Sequence, residues 1–152
     1  MFTTSRMEEP EFSRRAYFDR CSVLLFDPQS DCRRKTAVGL QRMGFRRIQS
    51  VVDFPELCQA AALGGFDLLV SEMGRAGGNA YELVKRLRHS TFGVDPFPAV
   101  VMTAADPQAT QIQKAIKAGP DHILKWPFSD QQLAKRVRNI VDQRRPFIVT
   151  ID

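Results

Sequence analysis

The chain has 152 residues, 43% of them hydrophobic and 26% charged, with a formal net charge of +5. That length and balance fit one globular domain with short flanking segments, and they exclude a disordered, collagenous or coiled-coil chain. No apolar run reaches the roughly 18 residues of a membrane span. Phe2, Met7 and Phe12 stand isolated among charges, so no signal peptide is read.

Cys21, Cys32 and Cys58 form an odd, scattered set, which suits a reducing compartment and sets the expectation of a cytoplasmic protein. The positive charge is local. Between Asp31 and Arg47 stand Arg33, Arg34, Lys35, Arg42, Arg46 and Arg47 against Asp31 alone. Such a stretch suits nucleic acid, lipid or an acidic protein surface; a solvated basic helix face is the plainer reading.

Residues 1–20 show no helical or strand period and hold Pro10, so they read as a flexible tail. Ser22–Phe26 (SVLLF) is the first buried strand, and a turn follows at Asp27-Pro28-Gln29-Ser30. Cys32, Ala37, Val38, Leu40 and Met43 recur at roughly helical spacing, and Gly44 stops that helix. Arg47–Val51 is the second strand. Asp53 with Glu56 makes a capping box, Pro55 sits in the first turn, and the helix ends at Gly64-Gly65.

Phe66–Ser71 is the best central strand. A Gly-rich loop follows, then an amphipathic helix marked by Tyr81, Leu83, Val84 and Leu87. Pro96–Thr103 contains the fourth strand. Asp106-Pro107 reads as N-cap and first helical residue, and Gly119-Pro120 closes that helix. Asp121–Lys125 is the fifth strand. Ser129 with Gln132 opens the last helix, with Leu133, Val137, Ile140 and Val141 inward.

Five strand–helix alternations predict a parallel sheet covered on both faces by right-handed crossovers. The expected class is α/β, a flavodoxin-like doubly wound (βα)5 sandwich of strand order 2-1-3-4-5. Ligands in such sheets sit at the carboxyl ends of the strands. Here those ends are Asp27, Glu72, Thr103 and Lys125-Trp126.

Several ordered blocks resemble one family. Val23–Asp27 (VLLFD), Phe66–Glu72 (FDLLVSE), Tyr81–Arg88 (YELVKRLR), Ala99–Asp106 (AVVMTAAD) and Ala118–Phe128 (AGPDHILKWPF) are similar to the receiver domain of two-component response regulators. The resemblance covers about residues 21–143. It implies a phosphorylation pocket built from a carboxylate nucleophile, Mg²⁺ held by acidic residues at the first strand, a hydroxyl and a lysine.

The departures fall on that pocket. Asp27 keeps the first acidic position, but Pro28 holds the second and offers no side-chain oxygen. Mg²⁺ tolerates little loss from its octahedral oxygen set. Glu72 holds the nucleophile position, one methylene, or on the order of 1.5 Å, too long for an aspartate's frame. Thr103 matches the hydroxyl. Trp126 stands at the lysine position. Lys125 is one residue earlier, on the opposite face of a strand. Ile123 replaces the aromatic switch residue, and Ala76 and Asn79-Ala80 replace the family's loop Pro and Asp-Gly.

The resemblance with its departures implies a degenerate pseudo-receiver. It would act in signalling as a phosphorylation-independent protein-interaction module, not as an enzyme, with no catalytic residue and no cofactor, Mg²⁺ included. Its degenerate pocket is Asp27, Pro28, Glu72, Thr103, Lys125 and Trp126. A protein partner, such as a histidine kinase or another signalling protein, is expected on Arg33 and Arg34 of the basic helix. Gln113, Lys114, Lys117, Lys125, Gln131 and Arg138 mark the fourth helix, fifth strand and fifth helix, a surface for such a partner or a homodimer.

Other readings stay open: a weak phosphoacceptor at Glu72, a nucleic-acid binder on the basic stretch, less favoured, or a small-ligand sensor beneath Trp126. His89 and His122 lack metal-pair spacing. The expected organisation is a tail over 1–20, a receiver-like domain over 21–145 and an extension over 146–152. That extension, Phe147–Asp152 (FIVTID), is rich in strand formers and reads either as an extra strand or docking segment, or as a frayed end.

Overall fold

A computed structural model describes residues 11–73, 80–88, 98–105 and 107–144. Helix α1 (Glu11–Arg20) precedes five strand–helix units: β1 (Ser22–Phe26), α2 (Ser30–Met43), β2 (Arg47–Val51), α3 (Phe54–Leu63), β3 (Leu68–Glu72), α4 (Ala80–Arg88), β4 (Ala99–Ala105), α5 (Ala109–Ala118), β5 (His122–Trp126) and α6 (Asp130–Arg144). The strands form one parallel sheet in the order β2-β1-β3-β4-β5, the flavodoxin-like order expected. None of these helices is long and apolar enough to cross a membrane.

Parallel sheets need both faces covered, and strand alternation divides the side chains between two layers. Leu24, Phe26, Leu69, Val100 and Met102 face Leu57, Leu83, Val84, Leu87 and Ala115 from α3, α4 and α5. Val23, Leu25, Val70, Val101 and Leu124 face Leu40, Met43, Leu133, Val137 and Ile140 from α2 and α6. Burying each such aliphatic side chain contributes about 1.5–3 kcal/mol.

The helix ends follow local chemistry. Gly44 takes φ 117° at the end of α2, and Phe45 N–H returns to Leu40 O at 3.2 Å. A Cβ on Gly44 would also meet the Arg15 backbone at 3.2 Å, so α1 depends on that glycine too. Asp53 caps α3 by accepting from Glu56 N–H at 2.8 Å. Glu56 answers to Val52 N–H at 3.1 Å, one residue before the expected cap N–H. Ser129 and Gln132 form the expected reciprocal box on α6. α5 starts later than expected: its N-cap is Gln108, whose N–H donates to Gln111 Oε1 at 2.8 Å.

The N-terminal reading needs correction. Residues 11–20 are helical, and Phe18 is completely buried. Its ring stacks on Phe45 with centroids 4.5 Å apart, within the α2–α6 layer. Arg15 Nη1 donates to Arg42 O at 2.7 Å, and Asp19 pairs with Arg46 at 2.9 Å. The packed unit therefore begins at α1 rather than at residue 21. Residues 1–10, the loop over 74–79 and the extension over 146–152 lie outside the described residues.

At the edge opposite the strand carboxyl ends, Arg88 ties several connections together. It donates to Gly119 O at 2.8 Å, Pro98 O at 2.8 Å and Asp121 Oδ2 at 3.0 Å. Asp121 Oδ2 also accepts Val100 N–H at 2.8 Å, so β4 and β5 begin on one carboxylate. The Arg88 side chain is 14% exposed, and removing it leaves partly buried acceptors unmatched.

Two stability outcomes follow. Phe18→Ala should lower the unfolding free energy by about 3 kcal/mol or more, and deleting residues 1–20 should cost at least as much. An unchanged urea midpoint for the deletion would restore the tail reading. Arg88→Ala should cost about 2–3 kcal/mol, with Arg88→Lys recovering only part because the ammonium lacks the fork.

Candidate functional site

The carboxyl ends of β1, β3 and β4 carry three buried polar residues: Asp27 (3% exposed), Glu72 (7%) and Thr103 (2%). Sheet register places them together. Glu72 pairs with Thr103, and Phe26 with Ser71, so Asp27 continues β1 beside Glu72. By alternation all three follow the parity of Leu25, Val70 and Val101, toward α2 and α6. Met73 N–H donates to Thr103 O at 2.9 Å and carries the β3–β4 contact one step past the strand end.

Asp27 shapes the turn into α2. Its Oδ1 accepts Gln29 N–H at 2.9 Å, and its carbonyl accepts from Arg33 Nη1 at 2.7 Å. Arg33 is only half-exposed. Arg33, expected on a partner surface, turns back toward the strand ends. Arg34 does project outward and pairs with Asp31 at 3.0 Å. Arg42 pairs with Asp130, and Arg46 with Asp19. Much of the basic stretch is thus matched within the chain, which weakens it as a nucleic-acid surface. Pro28 is exposed in the turn.

Glu72 has a neighbour that sequence reasoning placed only in a helix core. Burial, followed by the negative charge of Glu72, pushes the Tyr81 hydroxyl up from its ordinary range. Lys114 from α5 sets its ammonium 5.0 Å above the Tyr81 ring, a cation–π contact. Tyr81 therefore links the site to α5. Its place at the first turn of α4, shortly after the glycine-rich segment, was the available signal.

On β5 the predicted alternation holds. Ile123 packs against the α3–α5 layer, while Leu124 belongs to the other. Lys125 is exposed, and Trp126 shares the parity of Leu124 and Thr103. Lys125 therefore does not stand in for the missing pocket lysine. The Trp126-Pro127 peptide is cis. The Trp126 ring lies 4.0 Å from Phe128, and its buried Nε1 has no hydrogen-bond partner among the described residues. The pair lines a groove of about 430 Å³ with Arg34, Lys35, Val38 and Arg42.

The remaining expected surface residues divide. Gln113, Lys117 and Gln131 are exposed on α5 and α6. Lys114 is exposed but committed to Tyr81. Arg138 is half-buried on α6. Elsewhere burial lowers the His122 pKa, assisted by Arg136 and opposed by Asp121. Burial raises that of the Cys58 thiol, against the pull of Arg86. Among the described residues no three His, Cys, Asp or Glu side chains converge as a metal cluster.

The strand ends offer a partial set of oxygen donors. Asp27 and Glu72 supply two carboxylates, one Asp27 oxygen already accepts a backbone N–H, and Pro28 supplies no side-chain oxygen. A guanidinium stands on Asp27's carbonyl. Mg²⁺ is ordinarily held by one or two carboxylates with waters completing its octahedron, and the loop over 74–79 that follows Glu72 lies outside the described residues.

Comparisons with known proteins bear on the scaffold. No family model matches the chain. It is 24% identical over 126 residues to the phosphate regulon transcriptional regulatory protein PhoB of Pseudomonas aeruginosa, covering 82% of this chain and 53% of that one. The chain thus spans about half the length of that regulator. Among solved structures it is similar to the BeF3-activated DrrB receiver domain, with TM-score 0.68 and 17% identity over 80% of this chain and 97% of that one. It is also similar to the chemotaxis protein CheY4 of Vibrio cholerae, with TM-score 0.67 and 21% identity over 79% and 98% of the two chains. The chain has the fold of a response-regulator receiver domain.

Proposed function

We propose that this chain is a receiver-type module of two-component signalling that binds protein partners without phosphoryl transfer and catalyses no reaction of its own. The fold and the distant likeness to PhoB support the receiver part. One observation carries the rest. The strand ends bury Asp27, Glu72 and Thr103 together, yet the flanking positions hold Pro28 and Trp126 in place of an acid and a lysine.

Receiver chemistry stabilises a transferring phosphoryl group with metal and ammonium charge. Those groups act as a unit, so losing several is not repaired by keeping one. Glu72 instead places a carboxylate side chain at the nucleophile position. A carboxylate carries less charge and fewer acceptor oxygens than a phosphoryl group. Its effect is therefore a fixed bias at the strand ends.

The output surface is the α5–β5–α6 face. Ile116 is 62% exposed there, near Gln113 and Lys117, with Lys125 and Gln131 on the neighbouring elements. A mixed apolar and basic face suits an acidic protein partner, such as a histidine kinase or another signalling protein, or a second copy of the chain.

Incubation with acetyl phosphate and Mg²⁺, followed by intact-mass measurement, tests the phosphorylation claim. The chain should gain no phosphoryl group. An adduct that disappears in Glu72→Gln would show a working acceptor and overturn the reading. Substituting Ile116→Asp should weaken association with a partner or copy at least about tenfold, with the fold unchanged by circular dichroism.

A further inference from the structure

We infer that the groove between α2 and the β5–α6 turn binds a small planar anion, an aromatic ring carrying a carboxylate. The site stands independently of the reading above, for which it would supply an input other than phosphoryl transfer.

Two observations meet in this groove. The first is its apolar wall. Val38 from α2 and the Trp126–Phe128 pair from the β5–α6 turn are only partly buried, and all three line one space of about 430 Å³. The two ring centroids lie 4.0 Å apart with planes tilted by 33°, so they present one joined aromatic surface. Trp126 Nε1 is buried and meets no acceptor among the described residues. The indole therefore offers the groove carbon rather than a donor. Such a surface takes a flat ring by offset or edge-to-face stacking.

The second observation is charge. Arg34, Lys35 and Arg42 line the same space against one acid, Asp130. Positions 34, 38 and 42, with 35 beside 38, share one face of α2. Arg42 already pairs with Asp130, and Arg34 with Asp31. Lys35 is exposed and has no ion pair or hydrogen bond among the described residues. The guanidinium carries five N–H donors, so Arg34 and Arg42 keep donors beyond those given to their carboxylates. The groove thus joins an aromatic wall to a positive rim with one unmatched charge.

Size and charge narrow the occupant. A space of about 430 Å³ lies within the range of small-ligand sites, and it suits one or two fused rings rather than a helix. A carboxylate on the ring complements the Lys35 ammonium, whereas a cationic ligand would meet like charge. α6 begins at Asp130 on the same rim, and the partial positive charge of a helix start favours the same sign of ligand. A small anion without a ring leaves the aromatic wall wet, and a neutral ring leaves Lys35 unmatched.

Titration of the full chain with 2-naphthoate tests this, with affinity read by calorimetry and location by nuclear magnetic resonance. Trp126 is the sole tryptophan, so the chain gives a single indole N–H resonance. That resonance should shift saturably, and binding should weaken as salt is raised. Neutral 2-naphthylmethanol and ring-free acetate should each bind at least about tenfold more weakly. Lys35→Glu, an exposed helix position, should weaken 2-naphthoate binding at least about tenfold, while Lys35→Arg should stay within about threefold of wild type. No saturable binding, or binding that leaves the indole resonance unmoved, would overturn the inference. So would equal affinity for the neutral alcohol, or an unchanged affinity in a Lys35→Glu form that circular dichroism shows to be folded. These outcomes leave the reading above untouched, since acetyl phosphate decides that one separately.

Discussion

Two carboxylates and a hydroxyl are buried side by side at the ends of three parallel strands, and the surrounding structure is organised around keeping them there. Parallel register leaves little choice. Once Leu25, Val70 and Val101 face the α2–α6 layer, the residues two positions on are delivered to one edge with the same parity. The apolar strands thereby fix where Asp27, Glu72 and Thr103 lie. Chemistry must then satisfy them in place. At Asp27, Gln29 N–H donates to the carboxylate and the Arg33 guanidinium to the main-chain carbonyl.

The layer that supports this edge is bound from below. α2 packs closely on α6: a Cβ on Gly39 would meet Asp130 and Leu133 at 3.0 and 3.1 Å. At its far end α2 is held by α1 through Phe18 on Phe45 and Arg15 on the Arg42 carbonyl. The helix that carries Arg33 is therefore anchored along its C-terminal half. A helix free to shift by even one residue would swing that guanidinium by about 100° around its axis. The added N-terminal helix thus bears on the site, although it lies at the opposite end of α2.

Much of the scaffold was legible in the sequence, because its signals are local. SVLLF and LLVS are apolar runs bounded by turns, and Gly44, Gly119, Asp53 and Ser129 mark helix ends by hydrogen-bond chemistry that neighbours decide. The buried strand-end positions followed from alternation. α1 was not legible. Its apolar residues are crowded into Ala16-Tyr17-Phe18, without helical spacing, and its helix is held by a ring from Phe45 that only the fold brings near. The bond from Arg33 to the Asp27 carbonyl was not legible for a related reason: counting charges says how basic a segment is, not which side chain turns inward. Tyr81 sat correctly on its helix, but its closeness to Glu72 depends on how α4 docks after β3.

The resulting picture is a receiver-type fold whose site holds its charges in a settled state. The sole tryptophan, Trp126, stands at that edge and reports on it. Its fluorescence during a titration with Mg²⁺ and then beryllofluoride tests the account most directly. A folded chain whose emission stays constant through both additions is the predicted result. A saturable change with Mg²⁺ that beryllofluoride extends would show a site still waiting for metal and phosphoryl group, and would contradict it.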